Sequence, residues 1–216
     1  MGTFMVISIM FALVILVCVV VKNRKFSIVS MIAMFSVIAV VLLFGFRFTA
    51  IETVPGNANE VGSYDTVYGK ALLYEDEDQR TFGLAKVKQS FGFLHRYAGG
   101  TNGYYVEEQM PFQAAGYGSN EDDGFLVGVK TATPEIKYIV VGDHFDELHP
   151  SESYNFTMET VNDHLDMYEF KEVDDNYAFF VLDEYTEETW TIRALDEEGH
   201  LVADKLFGND VRGVDW

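Results

Sequence analysis

The sequence predicts a two-helix transmembrane hairpin followed by a mainly β soluble domain, an antiparallel sandwich or partly open barrel. Three observations carry this expectation. Two long apolar runs without a charge lie within residues 1–46. All 34 acidic residues lie beyond them, from Glu52 onward. After residue 70 the chain breaks into short alternating runs separated by acidic or Gly-containing turns.

Residues 4–21 hold 18 positions without a charge and residues 28–46 hold 19. At about 1.5 Å per residue, the longer run makes a helix of about 28 Å, close to the roughly 30 Å hydrocarbon core of a bilayer. The link carries Lys22, Arg24 and Lys25, against Arg47 alone beyond the second run. These three residues are the expected topology determinants. The positive-inside rule puts the link in the cytoplasm and both termini outside. The expected boundaries are a hairpin over 1–48, a linker over 49–69 and an acidic extracytoplasmic β domain over 70–216. The linker reading rests on Pro55-Gly56-Asn57-Ala58-Asn59 and Gly62-Ser63. On this reading the chain is a multi-pass protein of the cell membrane, and the lipid bilayer is its first partner.

The β domain is read from its alternation. Lys70–Tyr74 and Thr81–Gln89 are expected strands; Ala85 and Val87 alternate with Lys86 and Lys88 in the second. Phe91–Tyr97 follows, with Phe91, Phe93 and His95 expected on one side. Phe125–Thr131 and Ile136–Val141 are separated by the short turn-like Ala132-Thr133-Pro134-Glu135, which predicts a hairpin. Tyr177–Leu182 is apolar enough for a central strand. Residues 190–195 set Trp190, Ile192 and Ala194 against Thr191 and Arg193, and Leu201–Leu206 returns after a turn at Gly199. Residues 155–172 fit two strands, or a strand with one short helix.

Charge and motifs narrow the functions. The region after residue 51 holds 34 acidic and 11 basic residues. It would repel a nucleic-acid duplex, so no nucleic acid is expected as a partner. Cys18 is the only cysteine and sits in an apolar run, which excludes an intrachain disulfide. His144 and His149 are five residues apart, not the four that would put them on one face of a helix, and they define no zinc site. The acidic runs at 75–78, 121–123 and 174–175 lack the ligand spacing of a calcium loop. No metal site and no cofactor are expected. The chain carries no Gly-x-Ser-x-Gly elbow, no Ser-x-x-Lys and no phosphate loop, so no catalytic residue is assigned.

What remains is binding. Tyr104, Tyr105 and Tyr117 adjoin Gly-rich turns and are the candidates for an aromatic groove that takes a glycan or peptide of the cell envelope. The expected function is a non-enzymatic, membrane-anchored binding, accessory or sensory domain outside the cytoplasm. The competing readings are an envelope structural, inhibitory or immunity-type protein docking a basic partner, and an envelope hydrolase.

Overall fold

A computed structural model describes residues 24–101, 110–120, 122–143 and 154–214. The chain enters through a 20-residue helix, α1 (Arg24–Leu43). Gly45, at φ +78°, takes the left-handed position that ends a helix, and its N–H donates to the Leu42 carbonyl at 3.1 Å. Arg47, expected as a flanking charge, donates from Nη1 to the same carbonyl at 3.1 Å.

Two features of this helix correct the sequence reading. Arg24 and Lys25 lie in its first turn, and residues 24–27 are all helical. The loop to which the charge rule was applied is therefore not a loop at these positions. Among the described residues, no helix is long and apolar enough to cross a membrane. That finding overturns the transmembrane hairpin, and with it the membrane-anchored function, the bilayer partner and the multi-pass cell-membrane localisation; the extracytoplasmic placement, which was derived from that hairpin, loses its basis. The first apolar run, 4–21, and Lys22 lie outside the described residues.

The remainder is mostly β. Among the described residues, thirteen strands form three sheets, with neighbouring strands antiparallel throughout. The strands are β1 (Phe46–Arg47), β2 (Ala58–Thr66), β3 (Gly69–Asp76), β4 (Thr81–Ser90), β5 (Leu94–Thr101), β6 (Phe112–Asn120) and β7 (Gly124–Thr131). There follow β8 (Tyr138–Gly142), β9 (Tyr168–Glu172), β10 (Tyr177–Leu182), β11 (Ile192–Leu195), β12 (Leu201–Lys205) and β13 (Arg212–Gly213). Sheet A has the order β1-β5-β4-β3-β2, sheet B β10-β7-β6 and sheet C β13-β12-β11-β8-β9. A short helix, α2 (Met158–Asp163), precedes β9; Thr157 caps it, accepting from the Thr160 N–H, and the Thr160 hydroxyl accepts in return.

Sheet B is the middle layer. Successive side chains of a strand point to opposite faces, and both faces of β7 are buried. Phe125, Val127 and Val129 share a core with Ile139, Val141, Phe180 and Ile192, on the side of sheet C. Leu126 packs on the other side with Leu73, Phe82, Leu84 and Phe179, against sheet A. The outer face of sheet C is covered by Phe156 and by Val161 of α2. The outer face of sheet A is covered by Val54 and by the 3-10 turn Ile51–Thr53.

Several expectations change within this frame. Residues 49–69, read as a linker, contain the 3-10 turn and β2, which pairs along β3. β7 and β8 do not form a hairpin: β7 pairs with β6 and β10, β8 with β9 and β11, so the link at 132–137 carries the chain between layers. β10 is an edge strand by pairing, although its middle residues are buried. Phe91 and Gly92, at φ +54° and +75°, form the β4–β5 turn, which leaves Phe91 85% exposed. Arg193, set against the apolar side of its run, is fully buried because sheet C has a second core on its outer face.

Candidate functional site

The turn between β12 and β13 folds across the β6 edge of sheet B. Within that turn Asn209 donates from its N–H to the Leu206 carbonyl at 3.0 Å and from Nδ2 to the Phe207 carbonyl at 3.1 Å. Between the turn and β6 lies a cleft of about 460 Å³, within the range of small-ligand sites. Phe82, Met110, Ala114 and Val211 supply its apolar wall. Gln113, Lys205, Asn209 and Asp210 bring polar groups to it, and Trp190 completes the lining.

Trp190 is held by its local turn and by sheet B. Its N–H donates to the Thr186 carbonyl at 3.1 Å, and Thr189 donates from its hydroxyl to the Glu184 carbonyl at 2.9 Å. The indole meets Phe125 edge to face, with centroids 5.5 Å apart and planes at 74°. Gly116 makes room for both rings: a Cβ there would stand 2.8 Å from Phe125 Cζ and 2.8 Å from Trp190 Cζ3.

Lys205 faces the same space. On β12 it lies opposite Ile192 of β11, on the inner face of sheet C that also carries Ala203. Its Nζ sits 4.5 Å from the centroid of the Trp190 ring, a contact worth about 0.5–2 kcal/mol. Burial pushes the Lys205 ammonium below its ordinary pKa of 10.5, with the charge of Asp210 acting in the opposite sense. Among the described residues, no carboxylate lies within ion-pair distance of Lys205.

A second polar cluster, on the outer face of sheet C, is closed upon itself. Arg193 donates to the Tyr154 oxygen at 3.1 Å, the Gly142 carbonyl at 2.7 Å and the Asp143 carbonyl at 3.2 Å. Its guanidinium lies 4.5 Å from the centroid of Phe156. Asp204, the cross-strand neighbour of Arg193, accepts from Tyr154 at 2.8 Å and from Arg212 at 2.7 and 3.0 Å. Burial, then the charge of Asp204 and its hydrogen bond, push the Tyr154 phenol well above its ordinary range, although Arg193 opposes them. Groups that satisfy one another in this way lock a core and leave nothing directed at a ligand.

Of the candidate groove residues singled out from sequence, Tyr117 alone falls among the described residues. Tyr117 donates to the Ala98 carbonyl at 3.2 Å and packs in the seam between sheets A and B. Its ring crosses Gly99, at φ +142°, where a Cβ would fall 1.9 Å from the phenol oxygen. Tyr104 and Tyr105 lie outside the described residues, as do His144 and His149. His164 is exposed, with Nδ1 3.0 Å from the Thr160 carbonyl. Among the described residues no group of three His, Cys, Asp or Glu side chains could hold a metal ion. Glu75 and Asp123, members of two acidic runs, are taken up by Lys130 at 2.6 Å and Lys86 at 2.7 Å.

Sequence reasoning passed over Lys205 and treated Trp190 as core. The signal was present: Ala203-Asp204-Lys205 puts a lysine two residues after a buried alanine, on the inward-facing row of a strand. No protein-family model matches the chain, and no curated protein or solved structure matches it either.

Proposed function

We propose that the chain is a small-molecule-binding protein whose ligand occupies the cleft between β6 and the β12–β13 turn. The observation that carries this reading is the pairing of an apolar wall with Lys205 of sheet C and with polar side chains of β6 and the β12–β13 turn. Such concave sites with a few placed polar groups are the usual form of a ligand pocket. Trp190 stands in the wall as a rigid aromatic surface, kept in place by Phe125 and by the absence of a side chain at Gly116.

The test uses an uncharged fluorescent probe, N-phenylnaphthylamine, titrated into the full chain and into Val211→Trp. The added indole fills the cleft from its solvent side, so saturable dye fluorescence should weaken by about tenfold or more in affinity. An unchanged thermal melt establishes that the variant is folded. Equal dye binding by both proteins would remove the cleft as the site.

A further inference from the structure

We infer that the cleft selects an apolar carboxylic acid, bound as its anion with the carboxylate on Lys205. This rests on reading the cleft as a binding site and names the class of ligand that fits it.

In a chain of formal charge −19, a lysine seldom lacks a nearby carboxylate. Carboxylates are abundant, and Lys70, Lys86, Lys130, Lys137 and Lys171 each reach one within 2.6–3.6 Å, while Lys88 is exposed to water. Lys205 is different. It is half-buried, points inward from β12 and rests on the Trp190 face, with no described carboxylate at ion-pair distance. An ammonium removed from water keeps three donors to satisfy, and a π face offers no lone pair. A carboxylate entering the cleft would supply both the acceptor and the counter-charge, in a setting where water screens the pair less than at a surface.

The charge and the body of the ligand follow from the neighbours. Asp210 is exposed at the mouth of the cleft. Its solvated charge tolerates a monoanion beside Lys205 and disfavours a dianion such as a phosphate monoester, which would need more than one cation. The side chains of Phe82, Met110, Ala114 and Val211 meet whatever lies behind the carboxylate, and these carry no charge. The strongly negative net charge also opposes anions at long range, over about 8 Å at physiological salt. The selection must therefore come from contact with Lys205 and not from the field of the whole protein.

The decisive experiment compares matched acids and amides. Naphthoate and naphthamide are titrated by calorimetry into the full chain, Lys205→Met and Lys205→Arg. The expected result is naphthoate at least about tenfold tighter than naphthamide in the native chain, equivalent to about 1.4 kcal/mol. The ratio should fall to about one in Lys205→Met and recover in part in Lys205→Arg. If both compounds bind the native chain equally, the acid selection is wrong while the cleft remains a binding site. If the preference survives in Lys205→Met, Lys205 is not its source. If neither compound binds while N-phenylnaphthylamine still binds in a manner weakened by Val211→Trp, this inference fails and the cleft reading stands; if dye binding is also insensitive to Val211→Trp, both fail.

Discussion

The middle sheet has two seams, and they are finished differently. Towards sheet A, apolar contacts among Leu73, Leu84, Leu126 and Phe179 are flanked by ion pairs that join the layers. Lys130 of β7 meets Glu75 of β3 at 2.6 Å, and Tyr177 of β10 donates to the same carboxylate. Lys86 of β4 reaches the β6–β7 turn, donating to the Asp123 carboxylate at 2.7 Å and its carbonyl at 3.2 Å. Towards sheet C the centre of the seam is apolar; Lys171 lies 5.2 Å from the Phe180 centroid and pairs with Glu169 at 3.6 Å, whereas Lys205 ends on a ring and a cleft. A lysine over an aromatic ring is common to both seams, since Lys86 lies 5.8 Å from the Tyr68 centroid. The added carboxylate distinguishes a clamp from an open site.

Because both seams share sheet B, cutting into either should loosen the whole molecule. This is the largest expected effect. Phe180→Ala, on the side of sheet C, should cost about 3–5 kcal/mol, and Leu126→Ala, on the side of sheet A, about 2–5 kcal/mol. Denaturant titrations followed by fluorescence and by circular dichroism should give one coincident transition for each variant. Separate transitions would mean that the two seams are independent units.

A smaller effect isolates the clamp. Lys130→Met should cost about 1.5–3 kcal/mol at neutral pH, the range for a hydrogen bond to a charged group. Burial alone pushes the Glu75 carboxyl up, but hydrogen bonds from Lys130 and Tyr177 and the Lys130 charge hold it below its ordinary 4.5. Its contribution to stability is thus fully present above pH 4.5 and lost as pH falls through the lower folded value. Acid titration of stability should show this loss in the native chain and a weaker one in Lys130→Met. A loss of the same size in both would remove the clamp as its origin.

The seams also separate what the sequence disclosed from what it concealed. β3, β4, β10 and the β11–β12 pair follow from apolar runs and turn residues, and a short helix before β9 was one of the expected alternatives. β2 was hidden because Asn59, Glu60, Gly62 and Ser63 resemble a linker, although this polar segment forms the edge of a sheet. β6 was hidden because Ala114, Ala115 and Gly116 lack strand-forming side chains; close packing between layers demands small residues there. The β7–β8 hairpin failed because link length is a local signal, whereas strand pairing here is decided by burial of both faces of β7. Its unbroken Gly-Phe-Leu-Val-Gly-Val was the clue, since a strand covered on two sides has no polar row. At the cleft, the spacing of Ala203 and Lys205 put the lysine on one row of its strand, but that this row faces inward was settled by the pairing of Lys205 with Ile192, which local sequence does not set.

The central claim is that Lys205 is an inward-facing cation whose counter-charge arrives with the ligand. Side-chain NMR titration of lysines labelled at Cε tests it directly, with Lys205→Met to assign the signal. Since burial disfavours the ammonium in the folded state, native stability should rise with pH between the lowered value and 10.5. The account predicts one lysine titrating below the others, absent from Lys205→Met, whose midpoint moves upward when naphthoate is added. A Lys205 that titrates with the bulk of the lysines, and is unmoved by naphthoate, would contradict it.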